Sequence, residues 1–305
     1  MLRFSSLVAL GLLATNLFAA DQPPIKYAYQ PYVDGKMDPQ LFGWPLTTAE
    51  KEFIAKAEFS RRPGSEINQH QPKLWPMVPS ASFWGDPTSW LGAHETLVKK
   101  VQANAGPCDV LLVGDSITIQ WEQGMDGSNS WKKEFPALKG VNIGIGGDKS
   151  QNVLWRMDHG GVDGLQPRVC LLMIGNNNMF FAPETGTDAA AQGVKTCMEN
   201  LRARFPSAPV IVAKILPCHA PGVEFYENIR KTNTALDTLN LAKDPQVQVL
   251  DLWSDFTNAD GTLKAELFTK DRIHLNAAGY AAYAQRLRPM LLQLLAANAA
   301  TPTGK

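Results

Sequence analysis

The sequence predicts an α/β fold: a parallel sheet covered by helices on both faces. Two observations predict it. Five short apolar runs, Asp109 to Val113, Gly140 to Ile143, Val169 to Ile174, Pro209 to Ile215 and Val247 to Leu252, have the length and near-continuous hydrophobicity of buried parallel strands. Helical stretches lie between and after them, at Ser150 to Met157, Asp188 to Phe205, Glu224 to Leu241 and Asn276 to about Leu295. Parallel neighbours joined by helical crossovers collect the functional loops at the carboxyl ends of the strands.

Composition bounds the partners. Hydrophobic residues make up 45% of the 305 and charged ones 19%, enough apolar material for a core. Lys plus Arg and Asp plus Glu are both 29, so no bulk field exists to hold a polyanion, and nucleic acid is not an expected partner. The first twenty residues carry one charge, Arg3, then an apolar run from Leu7 to Leu13 and the small residues Ala19 and Ala20, the layout of a secretory signal. The run is shorter than the ~20 residues of a membrane span, so stable membrane insertion is not expected, and the protein is expected to be secreted or periplasmic. Residues 21–106 are rich in Pro and Trp and read as an extension packed on the main domain, ending in a helix around Leu91 to Asn104. The main domain is expected at 107–298, with a flexible tail at 299–305.

Export permits disulfides, but Cys108, Cys170, Cys197 and Cys218 are scattered, with no CxxC pair and no Cys/His ligand spacing. Buried or partly buried thiols are expected, with room for one bridge that spacing does not identify. Oligomeric state is not readable from the chain.

Chemistry collects at the predicted strand ends. The first strand runs into Gly114-Asp115-Ser116-Ile117, where a serine would stand at the mouth of the sheet beside a helix start. A serine in that place is usually a helix cap, and Thr118 breaks the G-x-S-x-G spelling of a nucleophile elbow. The second strand ends in Asn142-Ile143-Gly144-Ile145-Gly146-Gly147-Asp148, a loop able to offer backbone N–H groups to an anion. Lys149 spoils G-x-G-x-x-G, and Asp148-Lys149-Ser150 spoils a phosphate loop, which leaves an oxyanion hole as the use for such amides. The third ends in Gly175-Asn176-Asn177-Asn178, where one side-chain amide is able to donate to a developing negative oxygen. Asp271-Arg272-Ile273-His274 then places a carboxylate three residues before an imidazole, at an apparent loop-to-helix junction. Such a step lets Asp271 hold one ring nitrogen and leaves the other facing Ser116.

The set GDSI, NIGIGGD, GNNN and DxxH resembles the SGNH hydrolases, also called the GDSL esterase family. Within it, NIGIGGDKSQNVLWRM and LLVGDSITIQW look most like the platelet-activating-factor acetylhydrolase type of acetyl esterase. The resemblance spans roughly Asp109 to Leu295. It implies a flavodoxin-like three-layer α/β/α sandwich with a five-stranded parallel sheet. It also implies Ser116 as nucleophile, His274 as general base, Asp271 as its orienting acid, and an oxyanion hole from the Ser116 and Gly147 N–H groups and the Asn177 amide. No metal or organic cofactor is needed for that chemistry.

Asp115, Trp121, Trp131, Phe180 and His219 flank these motifs and are the expected substrate contacts, with the aromatics forming a rim able to stack on a sugar ring. The expected function is a secreted serine esterase removing short acyl groups, acetyl above all, from a carbohydrate such as an O-acetylated glycan or sialic acid. A lipid or aryl ester is the rival substrate. A non-catalytic glycan-binding protein and a sugar O-acyltransferase on the same scaffold are the alternatives.

Overall fold

The computed structural model describes residues 87–181, 186–219 and 222–299. The expected signal segment, most of the Pro- and Trp-rich extension and residues 300–305 lie outside the described residues. Strands β1 (Gly106–Gly114), β2 (Gly140–Asn142), β3 (Leu165–Met173), β4 (Val210–Ala213) and β5 (Val247–Leu250) form one sheet in the order β2-β1-β3-β4-β5. Every neighbouring pair is parallel, as the alternation predicts. The helices are α1 (Pro87–Ala103), α2 (Ser116–Ile119), α3 (Ser130–Glu134), α4 (Ser150–Asp158), α5 (Asn176–Phe181), α6 (Thr187–Arg204), α7 (Glu224–Thr238), α8 (Trp253–Phe256) and α9 (Ala277–Ala299).

The period of two along a strand divides the apolar side chains between two cores. On one face Leu111, Val113, Cys170, Leu172, Val210 and Val212 pack under α1, α4, α6 and α7. On the other, Val110, Leu112, Val169, Leu171, Met173 and Ile211 pack under α2, α3, α8 and α9. Helix α1 presents Trp90, His94, Leu97 and Val101, one stripe at helical spacing, and all four are buried. The helix expected at Leu91 to Asn104 is therefore part of the first core.

Two differences from the expected elements have local causes. Strand β3 begins at Leu165 rather than Val169, because Gln166 and Pro167 keep the β1 register while exposed or partly exposed, which hides their strand character from an apolar pattern. Helices α2, α3, α5 and α8 are too short to show a helical period. All four cysteines are buried and free. Burial pushes their thiols up, that of Cys108 to about 11.

Leu111 has no exposed surface and sits mid-strand between Val141 and Cys170. Leu111→Ala should lower the unfolding free energy by about 2–5 kcal/mol in urea titration, the range for a leucine removed from a packed interior. A loss under about 1 kcal/mol would mean that the layer above the sheet closes over the gap.

Candidate active site

Strand order gathers the motifs. Because β1 lies between β2 and β3, the carboxyl ends of these three strands are neighbours, and the GDSI, NIGIGGD and GNNN turns leave the sheet side by side. Ser116 is the first residue of α2, whose start is capped by the Asp115 carboxylate accepting from the Ile117 N–H at 3.0 Å. Gly144 lets the second turn lie against that helix: a Cβ there would stand 2.5 Å from the Ile119 nitrogen and 2.7 Å from the Asp115 carbonyl oxygen. A Cβ on Gly146 would lie 3.9 Å from the Ser116 Cβ, so this turn passes directly over the serine.

The fourth motif arrives from 158 residues away. His274 Nε2 stands 2.9 Å from Ser116 Oγ. Its Nδ1 stands 2.7 Å from Asp271 Oδ2, which places the ring proton on Nδ1 and leaves Nε2 to accept from the hydroxyl. Asp271 Oδ1 accepts from Thr269 Oγ1 at 2.7 Å, the Ile273 N–H at 2.8 Å and the His274 N–H at 3.0 Å. Burial raises the Asp271 carboxyl, but the hydrogen bonds from His274, Ile273 and Thr269 outweigh it and hold the group well below the ordinary carboxylate range. Asp271 is therefore an ionised acceptor beside the ring. Arg272 takes a positive φ of 56° in this turn, and its carbonyl accepts from the His219 N–H at 3.0 Å.

Two backbone N–H groups lie in these adjoining turns. Gly147 has φ 79°, a conformation glycine adopts without strain. Among the described residues no acceptor takes the Ser116 or the Gly147 N–H. Asn177, nearly buried, donates from Nδ2 to the Asp148 carbonyl oxygen at 2.9 Å and approaches Asp115 Oδ2 at 3.4 Å. The structure thus brings Ser116, His274, Asp271, Gly147 and Asn177 together. Among the described residues no three His, Cys, Asp or Glu side chains gather as a metal set.

The expected substrate contacts fare differently. Asp115 is fully buried and occupied as a helix cap, so it is a support of the serine and not a contact. Trp121 and Trp131 are 2% and 5% exposed and meet edge to face at 5.9 Å within the second core, so neither contributes to an aromatic rim. Both are large apolar side chains on short segments under α9, where burial outweighs display. His219 lies beside the Asp271 turn with its ring edge-on to Phe225 at 5.2 Å. Phe180 is in α5, and its side chain lies outside the described residues.

Four residues, Trp90, Asp148, Arg156 and Asn178, support the site without having been expected to act in it. Asp148 and Arg156 form a fully buried pair, Nε to Oδ2 at 2.7 Å, and the other carboxylate oxygen accepts from Trp90 Nε1 at 2.7 Å. Asn178 accepts from the Ser150 N–H at 3.0 Å and donates to Gln151 Oε1 at 3.0 Å, joining the third turn to the start of α4. Only the spacing of Asp148 and Arg156, eight residues apart at the two ends of one turn and helix, offers a hint in the chain.

Burial pushes the Asp115 carboxyl up to about 7, with the Asp148 charge adding to the rise and the Ile117 hydrogen bond and Arg156 opposing it. The ordinary value is 3.8, so across the interval the folded chain holds a proton that the unfolded chain has lost, and stability falls as pH rises from about 4 to about 7. Asp115→Asn keeps an oxygen for the cap and removes that slope. In urea unfolding, the parent should lose stability relative to the variant across this window and hold level above it; a pH-independent difference would mean that Asp115 is ionised throughout.

The GDSL-like Lipase/Acylhydrolase family model matches residues 112–282, which contain all four motifs. Platelet-activating factor acetylhydrolase IB subunit alpha2 of Rattus norvegicus is 31% identical over 207 residues, 68% of this chain and 85% of that protein. Subunit alpha1 of Homo sapiens is 30% identical over 207 residues, 68% of this chain and 84% of that protein. Among solved structures, a Streptococcus pneumonia protein named for platelet activating factor has a TM-score of 0.54 at 24% identity, covering 67% of this chain and 95% of its own. A Bacteroides fragilis protein named as an acylhydrolase has a TM-score of 0.53 at 19% identity, covering 66% and 96%. At those identities the two structures speak to the fold, which is the same parallel α/β arrangement. Family match and relatives agree: the chain belongs to the GDSL-like lipase/acylhydrolase family and is an esterase of that family.

Proposed function

We propose that the protein is a serine esterase that removes short acyl groups, acetyl above all, through a covalent intermediate on Ser116. The observation that carries this reading is the hydrogen-bonded line from Asp271 through His274 to Ser116, beside two N–H groups without acceptors among the described residues and the Asn177 amide. His274 Nε2 takes the hydroxyl proton as Ser116 Oγ bonds to the ester carbonyl carbon, and the carbonyl electron pair moves onto oxygen. The N–H groups of Ser116 and Gly147 and the Asn177 amide hold that oxyanion. Collapse breaks the bond to the alcohol, which leaves with the proton from His274. Water then attacks the acyl carbon, giving its proton to His274, and Ser116 departs with that proton as the acid is released. Asp271 orients the ring and balances the imidazolium.

The acetyl preference rests on the relatives, which are named as acetylhydrolases. On the alcohol side the reading is a carbohydrate ester met outside the cytoplasm, on the signal layout of the first twenty residues; Trp121 and Trp131, lying in the core, lend it nothing. An acetyl ester resembling platelet-activating factor is the second reading, favoured by the relatives' name. A glycan-binding module has no use for a nucleophile and its base kept in contact, and acyl transfer to a sugar is distinguished by acceptor competition with water.

The test is hydrolysis of p-nitrophenyl acetate, butyrate and octanoate by the chain starting at Asp21. Acetate should turn over fastest; Ser116→Ala should lose several orders of magnitude in kcat and Asn177→Ala about 10² to 10³-fold. Ser116→Ala at the parental rate would overturn the mechanism, and rates rising with chain length would move the substrate to lipids.

A further inference from the structure

Helix α1 precedes the family-matched residues 112–282, yet it reaches the oxyanion side of the site. We infer that Trp90 is a positioning residue for the oxyanion donors: its indole N–H fixes the Asp148 side chain, and Asp148 fixes the Gly147 peptide and the Asn177 amide. This rests on the esterase reading above, and three observations carry it.

The first is reach. Trp90 Nε1 donates to Asp148 Oδ1 at 2.7 Å, with the indole 4% exposed and Asp148 fully buried. The second is that the Arg156 guanidinium, the other side chain seen donating to the Asp148 carboxylate among the described residues, is engaged elsewhere. Each Arg156 nitrogen already has an acceptor: Nε donates to Asp148 Oδ2 at 2.7 Å, Nη1 to the Ile143 carbonyl at 2.7 Å and Nη2 to the Gly114 carbonyl at 3.2 Å. Without the indole, a buried carboxylate oxygen loses its partner in a place water does not reach. The third is the connection onward. The backbone of the same Asp148 accepts from Asn177 Nδ2 at 2.9 Å and follows Gly147, whose φ of 79° marks the turn. A shift of Asp148 therefore moves two of the three oxyanion donors, and misplacement by about 1 Å is enough to cost 10²-fold in rate.

The indole is itself held rigidly. It stacks on His94 at 6.0 Å with 11° between the planes and tilts against Trp155 at 5.3 Å. Trp155 supplies the control, since its buried Nε1 has no hydrogen-bond partner among the described residues. Trp90→Phe and Trp155→Phe each remove one indole from one cluster, but only the first removes a hydrogen bond.

The experiment measures kcat and KM for p-nitrophenyl acetate, with thermal unfolding, for both variants in the full chain and for Trp90→Phe combined with Asn177→Ala. Trp90→Phe should lower kcat by about tenfold or more at a KM within about twofold of the parent, while Trp155→Phe stays near the parental kcat. In the Asn177→Ala background the same change should cost less than it does in the parent, because one of the two donors it aligns is already gone. Parental kcat in Trp90→Phe, an equal loss in Trp155→Phe, or an undiminished cost in the Asn177→Ala background would each overturn the inference. If Trp90→Phe does not fold, Asp148→Asn replaces it and must show the same kcat loss and non-additivity. Failure of the esterase reading is separately visible, as Ser116→Ala and Asn177→Ala at parental rates.

Discussion

One buried guanidinium joins the parts of the site that come from different strands. Arg156, without exposed surface, donates to the Gly114 carbonyl at the end of β1, to the Ile143 carbonyl just past β2, and to the Asp148 carboxylate at the far side of the second turn. Taking a charge out of water costs several kcal/mol, and the cost is offset only when geometry is good and each donor finds an acceptor. The planar fork of arginine satisfies three acceptors in fixed directions; a lysine carries a point charge and no such fork. Ser116 follows Gly114 by two residues and Gly147 precedes Asp148, so one side chain sets the separation between the serine and the turn above it.

The same pocket holds two buried carboxyl groups close to where negative charge would develop. Asp148 faces the guanidinium and the Trp90 indole, so its charge is balanced locally. Asp115 has no cation in direct contact, and burial raises it toward neutrality. A neutral or balanced acid disturbs an oxyanion far less than a free carboxylate would, because Coulomb interactions strengthen in the dry interior. Asn177 lies between the two, and its neighbour Asn178 braces the turn from the other side, so adjacent residues of one type do different work.

On the opposite side, α2 is gripped from two directions. Gly144 lets the second turn touch its backbone, and Tyr280 Oη donates to the Ile117 carbonyl at 2.7 Å. Trp121 packs on Tyr280 at 4.6 Å and Tyr283 at 5.2 Å beneath it. These aromatics hold α9 against the four-residue helix that carries Ser116, which turns Trp121, expected at a binding rim, into part of that helix's footing. Beside the Asp271 turn, the His219 N–H donates to the Arg272 carbonyl at 3.0 Å and props that turn.

By itself the sequence determined the layer order and the chemical inventory. Apolar runs of strand length alternating with helical stretches leave a parallel sheet as the packing that buries both, and strand ends are where irregular, chemistry-bearing turns must fall. Ser116, Asp271, His274 and the glycine- and asparagine-rich turns stood out for that reason, and the family resemblance singled out Gly147 and Asn177 within those turns. Tertiary structure alone decided which polar residues meet at the strand ends and which brace them. Trp90, Asp148, Arg156 and Asn178 come together from α1, the second turn, α4 and α5, and the hydrogen bonds of Trp90 and Asn178 span separations that no local pattern encodes. Trp121 and Trp131 are the converse. An aromatic in a short segment reads alike whether it faces solvent or core, and only the helix that closes over it, α9, settles the matter through the apolar area it buries.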